Sequence, residues 1–204
     1  PVIKNVISNA KEGPFGKGRT IKVAMEGDKG QIGLFDIPGF KMAIPFKEVA
    51  PGEYLGEYMV VPGDNVKEVP LIAYLRRPTG EEGQWLDISG FLTVDTTPPP
   101  PAADLKGRAF IDRVELSWKG VSAPDLKGYK VLRSRKPLSD FEVVALTEVP
   151  VFTDKLIEPK EAYYYRVASV DAAGNESERT EPARLSLRER ELVELSGTIE
   201  RDTT

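Results

Sequence analysis

The chain has 204 residues, 40% of them hydrophobic and 29% charged, with 17 prolines, which is the length of two small β-sandwiches of about 100 residues each and the composition of well-solvated strands and many turns. Its net charge of −4 hides no basic half: residues 1–97 hold 11 basic and 13 acidic groups, 102–187 hold 14 of each, and 188–204 hold 3 and 5, which excludes a nucleic-acid footprint. It contains no histidine and no cysteine, so the commonest general base, the usual zinc ligands and all disulfides are excluded, and we expect neither an enzyme nor a bound cofactor or metal.

No run approaches the roughly 18 apolar residues of a membrane helix, so membrane insertion is not expected. Pro1–Ala10 alternates instead of forming the apolar block of a signal peptide. Because the first residue is proline, a processed chain or part of a longer one is expected.

In chain order, Val2–Ser8 reads as a first strand. Thr20–Met25 then places Ile21, Val23 and Met25 on one face, and Gly27-Asp28-Lys29-Gly30 is expected to turn it into a hairpin with Gln31–Phe35. The segment 37–54, with Pro45 and Pro51, reads as edge strand and loop. Tyr54, Gly56, Tyr58 and Val60 share one face, Pro62-Gly63-Asp64 ends that run, and Leu71, Ala73 and Leu75 repeat the period of two. Leu86, Ile88, Leu92 and Val94 supply a last strand, giving about seven. Thr96-Thr97 and the four prolines 98–101 then predict a stiff, extended spacer.

Beyond the prolines, Val114, Leu116 and Trp118 alternate into a core, Gly128–Ser134 follows as the next strand, and Leu156 leads towards Ala162–Asp171. The tryptophan strand, the Gly-Tyr-x-Val of 128–131 and the Tyr-x-Tyr-Arg-Val of 163–167, ending at Val170-Asp171-Ala172-Ala173-Gly174-Asn175, resemble the fibronectin type III pattern over nearly all of 102–187. The resemblance implies structural roles for three residues: Trp118 as the core tryptophan, Leu156 as the apolar residue before the corner, and Tyr163 as the corner tyrosine whose hydroxyl bonds upstream backbone. No Arg-Gly-Asp occupies the loop after Asp171, so the integrin binding of some members does not carry over. The run Glu48–Tyr58 resembles, less specifically, bacterial immunoglobulin-like domains.

Carboxylates at Glu81-Glu82, Asp36 with Glu48, and Glu176 with Glu178 lack an apolar pocket and read as solvated loops. Asp28, Asp64 and Asp171 read as turn formers in preference to calcium ligands. Trp85, Tyr74 and Tyr164 are candidates for a sugar-stacking platform, but strand packing explains them more simply. Lys127, Lys130, Arg133, Arg135 and Lys136 divide between two faces and read as a solvated strand.

The resulting expectation is an all-β chain of two tandem immunoglobulin-like β-sandwiches joined by a proline-rich linker: 1–97, linker 98–101, a fibronectin type III-like sandwich at 102–187, and 188–204 as a connector or assembly strand. Its expected role is a non-catalytic spacer or interaction segment of a larger bacterial protein, extracellular, on the cell surface or periplasmic. Its partners would be other domains of the same polypeptide or another protein. The alternatives are a polysaccharide-binding or adhesive module and a subunit of a surface filament or sheath.

Overall fold

Alternation in the first hundred residues becomes seven strands: β1 (Ile3–Ser8), β2 (Thr20–Gly27), β3 (Ile32–Ile37), β4 (Lys41–Ala50), β5 (Glu53–Met59), β6 (Val66–Arg76) and β7 (Glu82–Val94). The computed structural model describes residues 1–187, so the tail 188–204 lies outside the described residues. The contacts separate two units, one of Pro1–Pro100 with Ser122–Lys127 and Ser169–Ser177, the other of Pro101–Val121, Gly128–Ala168 and the chain from Glu178. Among the described residues no helix is long and apolar enough to cross a membrane.

The seven strands of the first unit run antiparallel in the order β1-β2-β5-β4-β3-β6-β7. The predicted hairpin between β2 and β3 is therefore corrected: β2 pairs with β1 and β5, and β3 with β4 and β6. Period-two alternation identifies strands but does not choose their partners. The glycine-rich turn is tied elsewhere, since Asp28 N–H donates to Val2 O (3.0 Å) and Gly27 N–H to Gly52 O (2.9 Å).

The segment expected as edge and loop is also corrected. β4 is a ten-residue strand that pairs through Lys41, Ile44 and Pro45 with β3, then through Phe46–Glu48 and Ala50 with β5. Pro45 stands where the strand exchanges one neighbour for the other, a position that tolerates the missing N–H. Pro51 and Gly52 make the tight turn into β5, with Gly52 at φ +82°.

One apolar cluster joins the strands of this sheet. Ile21, Val23 and Met25 meet Tyr54, Phe35, Ile37, Leu71, Ala73, Leu75, Leu92 and Val94, all at most 3% exposed. Each such large side chain contributes about 1.5–3 kcal/mol of transfer free energy. Gly56 faces the same core because two rings occupy its space: a Cβ there would lie 2.7 Å from the Phe35 ring and 3.0 Å from that of Phe46. Gly56→Ala is thus expected to cost about 1–3 kcal/mol by overpacking, measured as a lower urea midpoint.

In the second half of the chain the strands are β8 (Ala103–Ala109), β9 (Val114–Lys119), β10 (Leu126–Ser134), β11 (Glu142–Thr147), β12 (Val151–Asp154), β13 (Ala162–Asp171) and β14 (Ala183–Ser186). They form two sheets, β11-β10-β13-β14 and β12-β9-β8. Val114, Leu116 and Trp118 from one sheet and Tyr129, Val131, Tyr163, Tyr165 and Val167 from the other are buried, which makes this a β-sandwich with alternating inward residues.

Candidate functional site

The most developed polar cluster of the second unit gathers at the end of β12. Asp154 is 2% exposed, and its Oδ2 accepts from Tyr165 Oη (2.9 Å) and Arg133 Nη1 (2.8 Å) while Oδ1 accepts from Leu156 N–H (2.9 Å). Arg133 Nη1 also donates to Leu156 O at 2.7 Å. Burial, reinforced by the Asp154 charge, pushes the Tyr165 phenol far above its ordinary range, so it remains a donor at neutral pH. Such an arrangement ties two strands and the chain after β12 together, and it holds a corner.

Around this corner the three residues assigned structural roles separate. Trp118 is buried and packs edge-on to Tyr129, with ring centroids 5.4 Å apart. Tyr163 is buried, its hydroxyl accepts from Glu158 N–H at 3.1 Å, and the guanidinium groups of Arg133 and Arg135 lie 5.3 and 5.6 Å from its ring centre. Leu156 is a correction: its side chain is 84% exposed, and only its backbone N–H and C=O take part, through Asp154 and Arg133. With Asp154 directed inward to its two partners, the chain leaves the core before Leu156 is reached.

Paired carboxylates disperse into local bonds. Glu81 and Glu82 form ion pairs with Arg77 and Arg76, each at 2.6 Å. Asp36 Oδ1 accepts from Ala43 N–H (2.6 Å), whereas Glu48 accepts from Gly52 N–H (2.7 Å) and Gly30 N–H (2.9 Å). Those two backbone donors hold the Glu48 carboxyl below its usual pKa. Asp28 accepts from Val2 N–H, and Asp64 Oδ2 accepts from Tyr58 Oη (2.6 Å) and Val61 N–H (2.9 Å). Burial and the Asp64 carboxylate push the Tyr58 phenol up to about 12.

One acidic constellation was not visible in the sequence. Within the first unit, Asp95, Asp125 and Asp171 each bring a carboxylate oxygen to within 4.8 Å of the others. Asp171 is fully buried and accepts from Asn175 N–H (2.8 Å) and Nδ2 (2.9 Å). Burial and the two neighbouring carboxylates raise the pKa of Asp95, opposed by the Thr97 N–H that it accepts at 2.9 Å. A carboxyl whose pKa is raised on folding contributes stability below its unfolded pKa and loses it as pH rises through the folded value. Asp95→Asn keeps an acceptor for Thr97. It is expected to stabilise the chain at pH 7 by up to about 1 kcal/mol after solvent screening, and to change nothing near pH 3, as read from paired urea melts.

The aromatic candidates do not share a face. Trp85 pairs with buried Ala73 and packs against the core, whereas Tyr74 pairs with Gln84 on the opposite side of the sheet, where burial and then the nearby Asp36 carboxylate push its phenol up. Tyr164 belongs to the other unit, opposite Arg184. The basic run is largely absorbed in ion pairs: Arg133 with Asp154, Arg135 with Glu158 and Lys136 with Asp140.

No protein-family model matches the chain, and no curated protein matches it. Solved structures do. Domains A168–A170 of titin superpose with a TM-score of 0.56 at 15% identity, over 92% of this chain and 68% of that one. The fibronectin(III)-like modules of Clostridium thermocellum CbhA give 0.52 at 14% identity, over 90% and 94%. The FN1–FN3 domains of chicken CNTN1 give 0.54 at 14% identity, over 86% and 65%. These likenesses define the fold class: the chain is all-β, with the fibronectin type III sandwich fold.

Proposed function

We propose that the chain is a non-catalytic spacer or protein-interaction segment of a larger extracytoplasmic bacterial protein. The observation that carries this reading is the fate of its reactive side chains: Asp154, Arg133, Tyr165, Glu48, Asp64 and Asp36 each make hydrogen bonds that close turns and corners. A fold built of packed strands and polar corners suits a part that transmits position. Residues 95–102 carry no secondary structure and include the four prolines, which restrict φ and favour an extended, stiff connection. The polysaccharide alternative loses support because Trp85 is turned into the core, away from Tyr74.

The absence of native cysteine permits a direct test. Lys29→Cys and Lys155→Cys supply two unique exposed labelling sites. Single-molecule distance distributions are expected to be narrow with the prolines present and broader when 98–101 is replaced by Gly-Ser-Gly-Ser. An unchanged distribution would overturn the spacer reading.

A further inference from the structure

The outer face of the three-stranded sheet β12-β9-β8 carries charge that the fold does not use. Register sets Lys106 beside Ser117, which lies beside Val151, and Arg108 beside Glu115, which lies beside Thr153. Leu116, Trp118 and Asp154, at the alternate positions, are buried, so these six side chains point outward. They line a shallow groove of about 470 Å³. Glu115 is already paired with Arg113 at 2.8 Å. Lys106 and Arg108 are exposed and make no ion pair among the described residues, and Lys119 extends the same face at the end of β9. A face with uncompensated positive charge thus stands on a chain whose net charge is −4.

We propose that this face docks an extended acidic segment of a partner protein, with carboxylates at every second residue against Lys106 and Arg108 and polar groups against Ser117 and Thr153. The spacing argues for it. Lys106 and Arg108 are two residues apart on one strand, about 6.6–6.8 Å, and an extended peptide repeats its same-side groups at that same interval. Carboxylates placed there form charge-assisted hydrogen bonds, and the hydroxyls supply donors between them. None of the six outward side chains is aromatic, and Phe152, which also borders the groove, stands at an alternate position paired with buried Leu116, which favours peptide over polysaccharide. The inference rests on the interaction reading and names the chemistry of its partner.

The test titrates the intact chain with a fluorescent Thr-Asp-Thr-Asp-Thr-Asp probe at low salt, followed by anisotropy. Saturable binding is expected, weakened at least tenfold by Lys106→Glu with Arg108→Glu, and changed less than twofold by the control pair Lys29→Glu with Lys47→Glu on the first unit. A probe of the same composition with its aspartates contiguous is expected to bind more weakly. Binding should fall with added salt as screening grows. Lack of saturable binding, or equal loss in the control pair, would overturn the proposal. So would tighter binding of polygalacturonate that is abolished by the same two reversals, since that assigns the face to a polysaccharide. The double-label distance experiment is independent of this face, so its outcome separates failure of the peptide site from failure of the spacer reading.

Discussion

Trp118→Ala is expected to destabilise the second unit by about 3–5 kcal/mol, seen as a lower denaturant midpoint in the intact chain. The side chain is 6% exposed, sits between the two sheets and meets Tyr129 edge-on at 71°, so truncation removes both transfer free energy and an aromatic contact. Its Nε1 has no acceptor among the described residues, which makes the contribution one of packing. Trp118→Phe should accordingly recover most of the loss. A midpoint for Trp118→Ala within about 1 kcal/mol of the unmodified chain would contradict the burial on which this rests.

Asp154→Ala is expected to cost about 3 kcal/mol, although it removes a small side chain. The loss leaves the Tyr165 hydroxyl and the Arg133 guanidinium without their shared acceptor. Tyr165 is fully buried, whereas the Arg133 side chain is 23% exposed, so water relieves part of the second penalty and the effect falls at the lower end of the range for a broken buried pair. Adding Tyr165→Phe should restore about 1 kcal/mol, because the orphaned hydroxyl goes with it. A double-mutant cycle showing simple additivity would mean that the two groups do not act together. Alkaline melts check the same corner: the raised Tyr165 pKa predicts stability lost as pH climbs above about 10, the unfolded value, and Tyr165→Phe should reduce that loss, leaving the share of Tyr58.

What was legible in the sequence is what the local pleat dictates. Successive side chains alternate across a strand regardless of its neighbours, so Ile21, Val23 and Met25, or Val114, Leu116 and Trp118, identify their buried faces without knowledge of the fold. Pro62-Gly63-Asp64 likewise end their run from their own backbone preferences, with Gly63 at φ +94°. Partner choice is different. Nothing within β2 or β3 says that they are separated by β5 and β4, because pairing depends on which distant surfaces compete for each edge. The sequence placed Leu156 among structural apolar residues. The tertiary structure exposed it, since Asp154 reaches Arg133, 21 residues away, and fixes where the chain leaves the core. Phe15 escaped notice for the same reason: it belongs to no regular strand, yet it is fully buried because its N–H and C=O bond Thr93 and Asp95. Alternation, turns and composition were properties of neighbouring residues and could be read directly. Strand order, the Asp154 corner and the outward basic face required the chain to close on itself, because each is made by residues that meet only after folding.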